Sequence, residues 1–552
     1  MGDTRAQELL RISDGLFSRK RTWDSLCQDI AENFYPLRSD FTTSFSLGTD
    51  FATGLMDGTT INMRETLGNS IDSMLRQGDW FSISTGDEAR DKRAGNALAL
   101  SRATSLFRKG VIADPRSNVQ MALKEADHDW VAFGNPVLSW EEAPARSHLI
   151  TRAWHPKLCA WMVNEYGVVD GFFRKCMLPA RDIHRKFKQG AWTGHMRPEI
   201  ERAAKDEPTR EFPVIHLLME AEEVYGGSAA DMRRNRHRYV SMYIDQTHTE
   251  VLNSRGTPVF NYIVPRYRTV SNFPQGFSPV AINSLPDARM LQSLALTLLE
   301  QGEKGVDPPI VVSQDIFKND FNLYAGGVSA VDLGQTDDIR KAMQVVNTSD
   351  GMPVGLQMKQ DVRALLAEHW LLNKLFLPSV REMRELEVMV RTEEFRRAAL
   401  PFFTPIESQY HSPWLSVGFE MAVNMGLIPA EIFPEDLQGQ DITWKFESPL
   451  KEAEGQKVVA AFNTSVQIIA AGSEAEPGLA KQFNIADAVI DAVRGAGAKP
   501  EWIKPERERK AVAEEDAQVA QLQKTAALLD QGAATTANVS GAKVAAEQAG
   551  LL

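Results

Sequence analysis

Apolar side chains recur at helical spacing through roughly the first 135 residues. Leu9, Leu10, Ile12, Leu16 and Phe17 form one group, and Trp23, Leu26, Ile30 and Phe34 form a second that Pro36 closes. A segment rich in Thr, Ser, Gly and Asp, 39–60, follows, and Ile61, Leu67, Ile71, Met74 and Leu75 then resume the helical period as far as Gly78. This pattern predicts a helix pair and a further helix across a long connector. From Pro136 the pattern changes to short runs of β-branched and aromatic residues, 137–140, 148–154, 168–177, 212–220, 239–245 and 258–264, divided by turn signals. These predict strands. Asn253-Ser254-Arg255-Gly256 stands between the last two runs and suits a hairpin loop in which Gly256 supplies a positive φ.

At Ser284-Leu285-Pro286-Asp287 the signs of a helix start coincide, with Ser284 as N-cap and Pro286 in the first turn. The stripe Leu291, Leu294, Ala295, Leu298 and Leu299 follows and stops at 302–309. A second helix is expected from Lys359, with Val362, Leu365, Leu366, His369, Leu372 and Phe376 as its stripe and Pro378 as its end. Between them lie about fifty residues of mixed strand and loop, 310–357, by the same period reading. Helical patterns continue at 386–400, 406–425 with a kink expected at Pro413, 458–471 and 485–493. Beyond Trp502 and Pro505 there is no further aromatic residue or proline, and Ala and Gln become abundant. Val512, Val519 and Ala526 with Leu522 and Leu529 fit a and d positions of a coiled segment whose earliest d position is the polar Glu515. The fold class is α+β.

Of 552 residues, 43% are hydrophobic and 24% charged, which places the chain among folded globular proteins and excludes disordered and fibrous classes. The formal net charge of −12 argues against a protein that grips nucleic acid by neutralising phosphates over a basic face. Cys27, Cys159 and Cys176 are an odd set without CxxC spacing, so neither a disulfide framework nor a zinc ribbon is expected, and a reducing cytoplasm fits. The charged N-terminal segment and the lack of any 18-residue apolar run predict neither export signal nor membrane span.

The string G-x-x-x-x-G-K-[ST] that would cradle phosphates does not occur, nor do G-x-S-x-G or H-E-x-x-H. Gly495-Ala496-Gly497-Ala498-Lys499 follows a helical pattern and reads as a helix end. His155 and Cys159 have the i, i+4 spacing of a helical metal pair, yet nothing completes four ligands, and they read as structural residues. Asp127-His128-Asp129 reads as a solvated helix face whose side chains diverge. No catalytic, metal or cofactor residue is assigned, and no enzyme activity is expected. These features leave open a catalysis-free assembly protein and a hydrolase without a visible site.

The order of elements, helical start, β-rich middle, two helices around an excursion, helical block and Ala/Gln tail, resembles the head-to-tail connector (portal) family of short-tailed bacteriophages. Val264-Pro265-Arg266-Tyr267 followed by Ala281-Ile282-Asn283-Ser284-Leu285-Pro286-Asp287-Ala288-Arg289 is similar to that family's "vPRw" and "alpDak" strings, with Phe273-Pro274-Gln275-Gly276 where the family carries Tyr-Gly-Arg-Gly. Pro308-Pro309-Ile310-Val311-Val312 resembles a family strand entry. Met383, Glu387, Val388, Arg391 and Glu394 resemble a family helix in which Arg384 replaces the N-capping threonine. Met425-Gly426-Leu427-Ile428-Pro429 and Ser448-Pro449-Leu450 resemble its "aGlLP" and "sPLa" turns.

The resemblance implies a portal-type fold: a wing over 1–285, stem helices over 286–305 and 359–377, a small α/β clip over 306–358, a channel loop over 378–391, a crown over 392–505 and an extension over 506–552. It implies a homo-oligomeric ring of about twelve subunits at one capsid vertex. Its partners would be the terminase motor, the major capsid and scaffolding proteins, tail adaptor proteins and double-stranded DNA in the channel. Localisation would be the virion, with host cytoplasm during assembly and no membrane. No cofactor is implied. Lys374, Arg381 and Arg384 are the candidates to meet passing DNA. Equally, Arg381 and Arg384 fit a charge mosaic with Glu382, Glu385 and Glu387. An acidic chain suits a conduit, because each neutralised phosphate would add friction to a sliding polyanion.

Overall fold

The computed structural model describes residues 2–44, 54–91, 93–187, 196–225, 237–306, 310–312, 343–345, 351–372, 400–447, 461–470, 488–489 and 492–493. Helices and antiparallel sheets combine in an α+β fold. By its contacts the chain forms two units, Met1–Gly78 with Ser105–Ala430, and Asp79–Thr104 with Glu431–Leu552.

In the first unit a five-stranded antiparallel meander runs Cys159–Val163, Val169–Pro179, Glu211–Glu220, Tyr239–Asp245 and Val251–Thr257, each strand beside its neighbour in sequence. Alternation along the strands sorts side chains to two faces. One face, with Phe173, Ile215, Leu217 and Met242, packs on Leu9 and Phe17 of helix Gly2–Arg19. The opposite face carries two apolar clusters. Phe172, Leu218 and Tyr262 form one, and Val214 and Tyr243 join Ile183, Phe187 and Ile200 in the other. The register also sets Arg174, His216 and Tyr243 side by side on adjacent strands of this face. His216 is satisfied there by the Tyr262 hydroxyl at 2.9 Å and the Ser241 hydroxyl at 2.8 Å. Burial holds this imidazole well below its ordinary pKa, so it is neutral.

Two of these strands, Cys159–Val163 and Val251–Thr257, depart from the sequence expectation. Asn253–Gly256 is not a hairpin loop but part of the last strand. The chain turns earlier, where the Asp245 carboxylate accepts the His248 N–H at 2.6 Å and Thr249 adopts φ +59°. The strand lies at the edge of the sheet, where polar residues without clear alternation are tolerated. His155 and Cys159 are not on one helical face. His155 caps a single 3₁₀ turn through its Nδ1 and approaches Asp40 to 2.7 Å, and Cys159 opens the next strand. Among the described residues, no group of three or more His, Cys, Asp or Glu could hold a metal ion.

Asp127-His128-Asp129 is a correction as well. All three are buried, on a helix, Val119–Phe133, that buries eleven of its 15 residues. Helices Arg21–Phe34, Thr59–Leu75 and Pro279–Val306 and strand Leu149–Trp154 all pack against it, so only Gln120, Met121, Lys124 and Glu125 near its start keep a solvent side and the turn 127–129 is enclosed. Asp127 pairs with both terminal nitrogens of Arg76, and one of those nitrogens lies 3.2 Å from His411. Asp129 accepts from Arg38 at 3.0 Å. Burial pushes the Asp129 carboxyl up to about 7 against the pull of Arg38, and burial together with Arg64 pushes His128 down to about 4.

Farther on, helical residues 400–405 pass into a π turn, Ile406–His411, immediately before helix Ser412–Asn424, which carries Pro413 in its first turn. The irregularity expected at Pro413 is thus a local widening of the helix just ahead of it. The Gly426 of the "aGlLP" string ends this helix at φ +76°. Its N–H bonds to Val423 and that of Leu427 to Ala422, each at 2.9 Å, which is a Schellman closure.

In the second unit, strand Phe81–Ser84 pairs antiparallel with Thr443–Phe446. Trp80 stacks on Phe446, and Phe81 meets the edge of Trp444 at 5.5 Å. Thus 79–104, read in the sequence with the wing, groups by contact with residues read as crown. Four residues, two of them serine, are too short a run to announce a strand. The Gly-rich 495–499, the heptads of 512–529 and the tail 506–552 lie outside the described residues.

Candidate functional site

The strings that carry the family resemblance converge where the β-rich part passes into the long helix Pro279–Val306. Gly134 closes helix Val119–Phe133 at φ +75°, and a Cβ there would collide with the backbone of Phe277 and Ser278. Only glycine permits that approach. Its carbonyl accepts the Tyr267 N–H at 2.9 Å, and the Tyr267 ring stacks on Trp130 at 5.0 Å. Asn135 donates to the Pro265 carbonyl at 2.8 Å and accepts the Gly276 N–H.

From this junction the long helix begins at Pro279, earlier than expected. Its N-cap is Ser278, whose hydroxyl donates to Val131 at 2.6 Å and accepts the Ala281 N–H at 3.3 Å. Pro279 supplies the preset first turn. Ser284 is therefore no cap. Its hydroxyl donates back to the Val280 carbonyl and accepts the indole N–H of Trp370 at 3.0 Å. Pro286 sits inside the helix on its exposed side, where water is available to the carbonyl it leaves without a donor. Ser278-Pro279 and Ser284-Leu285-Pro286 carry the same local signs, and only packing distinguishes them.

The partner helix is Met352–His369, capped by Gly351, and it too begins ahead of the expected Lys359. Met352, Val354, Leu356 and Met358 alternate with Pro353, Gly355 and Gln357, a period of two that masks the helix. Gly355 allows close packing on Leu298, since a Cβ there would lie 2.7 Å from its side chain. The helix ends at His369, and Leu371 takes φ +59°. At the far end of the pair a two-stranded antiparallel sheet joins Ile310–Val312 to Met343–Val345.

The near end is tied to the body by polar contacts that the sequence does not announce. Asp57, with its side chain 2% exposed, accepts from Lys359 at 3.0 Å and from Arg363 at 2.6 Å. Gln292 accepts from the backbone N–H groups of Met56 and Asp57 and donates to the Asp57 carbonyl. Phe34 packs on Trp370 at 4.9 Å, and Arg289 pairs with Asp29 at 2.8 Å. His369, expected in an apolar stripe, faces Asp287 at 3.5 Å. A cavity of about 310 Å³ opens beside this foot between Tyr267, Arg268, Asn283, His369 and Phe402.

Beyond this anchored foot the pair leaves apolar side chains in solvent. Leu296, Leu299 and Val306 on the first helix and Val354, Leu356 and Met358 on the second are each at least 40% exposed. Lys374, Arg381 and Arg384, the candidates for DNA contact, lie outside the described residues, as do Met383, Glu387, Arg391 and Glu394. Among the described residues no helix is long and apolar enough to cross a membrane.

Comparison with known proteins agrees with the strings that converge on this helix pair. A "Probable portal protein" of Bordetella phage BPP-1 is 24% identical over 479 residues, spanning 85% of this chain and 83% of the relative. The family model described as bacteriophage head to tail connecting protein matches residues 6–503, nearly the whole chain, and the protein therefore belongs to that family.

Proposed function

We propose that this protein is a portal subunit that assembles, in about twelve copies, into a ring at one capsid vertex. The ring serves as the conduit for double-stranded DNA during packaging and ejection and as the platform for the terminase motor and the tail. In this reading Pro279–Val306 and Met352–His369 are the stem, the segment between them is the clip, and the following segment with Lys374, Arg381 and Arg384 faces DNA. One structural observation beyond family membership carries it: the stem pair exposes Leu299, Leu356 and other leucines that its own chain leaves uncovered. Large apolar surface in water favours association, and a head-to-tail contact that closes by rotation covers the same face on every copy. The formal charge of −12 agrees with a channel that passes a polyanion without holding it.

Electron microscopy of the purified full chain tests this directly, with native mass spectrometry for the subunit number. Rings with a central hole are expected. Monomers or dimers only, across salt and protein concentration and with scaffolding protein supplied, would count against it. For the DNA-facing assignment, Arg381→Glu with Arg384→Glu should leave rings intact and lower the DNA packaged or retained per capsid. Unchanged filling by that variant removes the two arginines from the mechanism.

A further inference from the structure

We propose that Asp57 is a positioning residue, a latch that fixes the axial register of Pro279–Val306 against Met352–His369 and makes both move with helix Thr59–Leu75. At its C-terminal end the second helix is tied to the first by the Trp370 bond to Ser284 and by His369 facing Asp287, but above these little that is directional holds it. Of its residues only Val362 and Leu366 are buried, with Trp370 just beyond its end. Apolar contacts of this kind are non-directional and tolerate sliding. The Asp57 cluster does not. Lys359 and Arg363 stand one turn apart on the second helix, and both reach the same carboxylate oxygen. Gln292 of the first helix clamps the backbone of Met56 and Asp57 from both its amide atoms. The second carboxylate oxygen accepts the Thr59 N–H at 3.0 Å, at the start of helix Thr59–Leu75. One buried residue thereby reads three helices at once: a slide of the second long helix by part of a turn breaks two charge-assisted bonds together, and a slide of the first breaks the three-bond Gln292 clamp.

The arrangement also sets what can open it. Burial alone would raise the Asp57 carboxyl, but bonds from Thr59, Lys359 and Arg363 outweigh it and hold the group well below the usual carboxylate range. Mild acid leaves it charged. Movement of segment 54–58 or of the helix pair opens it instead, so each reports on the other.

Hydrogen exchange on the full-length protein tests the latch. Asp57→Asn keeps the shape and the Gln292 clamp and removes the charge. Amides of Met352–His369, and those of Pro279–Val306 around Gln292, should exchange at least about tenfold faster, with strand Tyr239–Asp245 unchanged. Lys359→Met with Arg363→Met should do the same, and adding Asp57→Asn to that pair should bring no further acceleration, because the groups act as one unit. Arg363→Lys should restore part of the protection lost in Arg363→Met. Acceleration confined to 54–60, effects that multiply in the triple variant, or equal acceleration in the sheet would each overturn the proposal. If Asp57→Asn fails to fold, the Lys359 and Arg363 variants decide the matter by the same readout. The assignment rests on the portal reading only for its consequence in the stem, and exchange is read on the purified chain whether or not rings form.

Discussion

Helix Val119–Phe133 buries eleven of its 15 residues, Asp127, His128 and Asp129 among them, whereas the 28 residues of helix Pro279–Val306 include seven buried ones and none beyond Ala295. The first hides charge, and the second shows leucine to water. Residue type explains neither. The C-terminal half of the first helix is enclosed by its neighbours, and Arg76 and Arg38, just beyond the ends of two of them, reach in, so its carboxyl groups stay inside with a cation each. Among the described residues, the outer half of the second packs on helix Met352–His369, and its leucines beyond Ala295 stay in solvent. The difference is one of surroundings: in the body, charges are met by other segments of the chain, whereas the helix pair carries apolar side chains in solvent, the face that the proposed ring would cover.

The largest expected effect tests the enclosed helix. Arg76→Met leaves Asp127 buried without its cation and should cost about 3 to 5 kcal/mol in urea unfolding of the full chain. Combining it with Asp127→Leu should recover most of that loss, since an apolar pair of similar volume avoids the stranded charge. A loss below about 1 kcal/mol would mean that the pair is open to water in solution.

Next in size is the acid response of the same helix. His128, held down to about 4 by burial and by the positive charges of Arg64 and Lys124, stays neutral in the fold while the unfolded chain takes up a proton near 6.5. Its contribution is therefore complete above pH 6.5 and is lost as pH falls towards 4, about 3 kcal/mol in all. His128→Gln should flatten the stability profile over that window. An unaltered pH slope would place the sensitivity elsewhere.

A smaller effect concerns the foot of the helix pair. Trp370→Phe keeps a ring against Phe34 but removes the bond to Ser284. It should lower stability by about 1 to 2 kcal/mol and leave assembly unchanged. Assembly that fails in this variant would make the foot part of the contact between copies.

The smallest effect on the chain itself sharpens the contrast most. Leu299→Gln with Leu356→Gln exchanges exposed side chains for others of similar helix propensity, so the chain should keep its stability to within about 0.5 kcal/mol. Ring yield by native mass spectrometry should nevertheless collapse. Normal rings would show that these leucines face solvent in the assembly too.

Much of the fold could be read from periodicity. The runs at 137–140, 168–177, 212–220 and 239–245 are strands, and the stripe from Leu291 to Leu299 is helical, because alternation and the 3.6-residue period follow from backbone geometry alone. The order of short strings was enough to point to the family. What failed were signals whose meaning depends on neighbours. Asn253–Gly256 has turn composition yet lies in a strand, because an edge position accepts it. Ser284-Leu285-Pro286 looks like a helix start yet lies inside one, because Ser278 caps first and Trp370 claims the Ser284 hydroxyl. Asp127-His128-Asp129 looks solvated until residues from Arg38 to His411 are folded around it. Asp57 gave no sign at all, since its partners Gln292, Lys359 and Arg363 lie more than 230 residues away along the chain. Local geometry is encoded by adjacent residues and was legible from them; burial and charge pairing are properties of contacts between distant segments, and only the tertiary structure decided those.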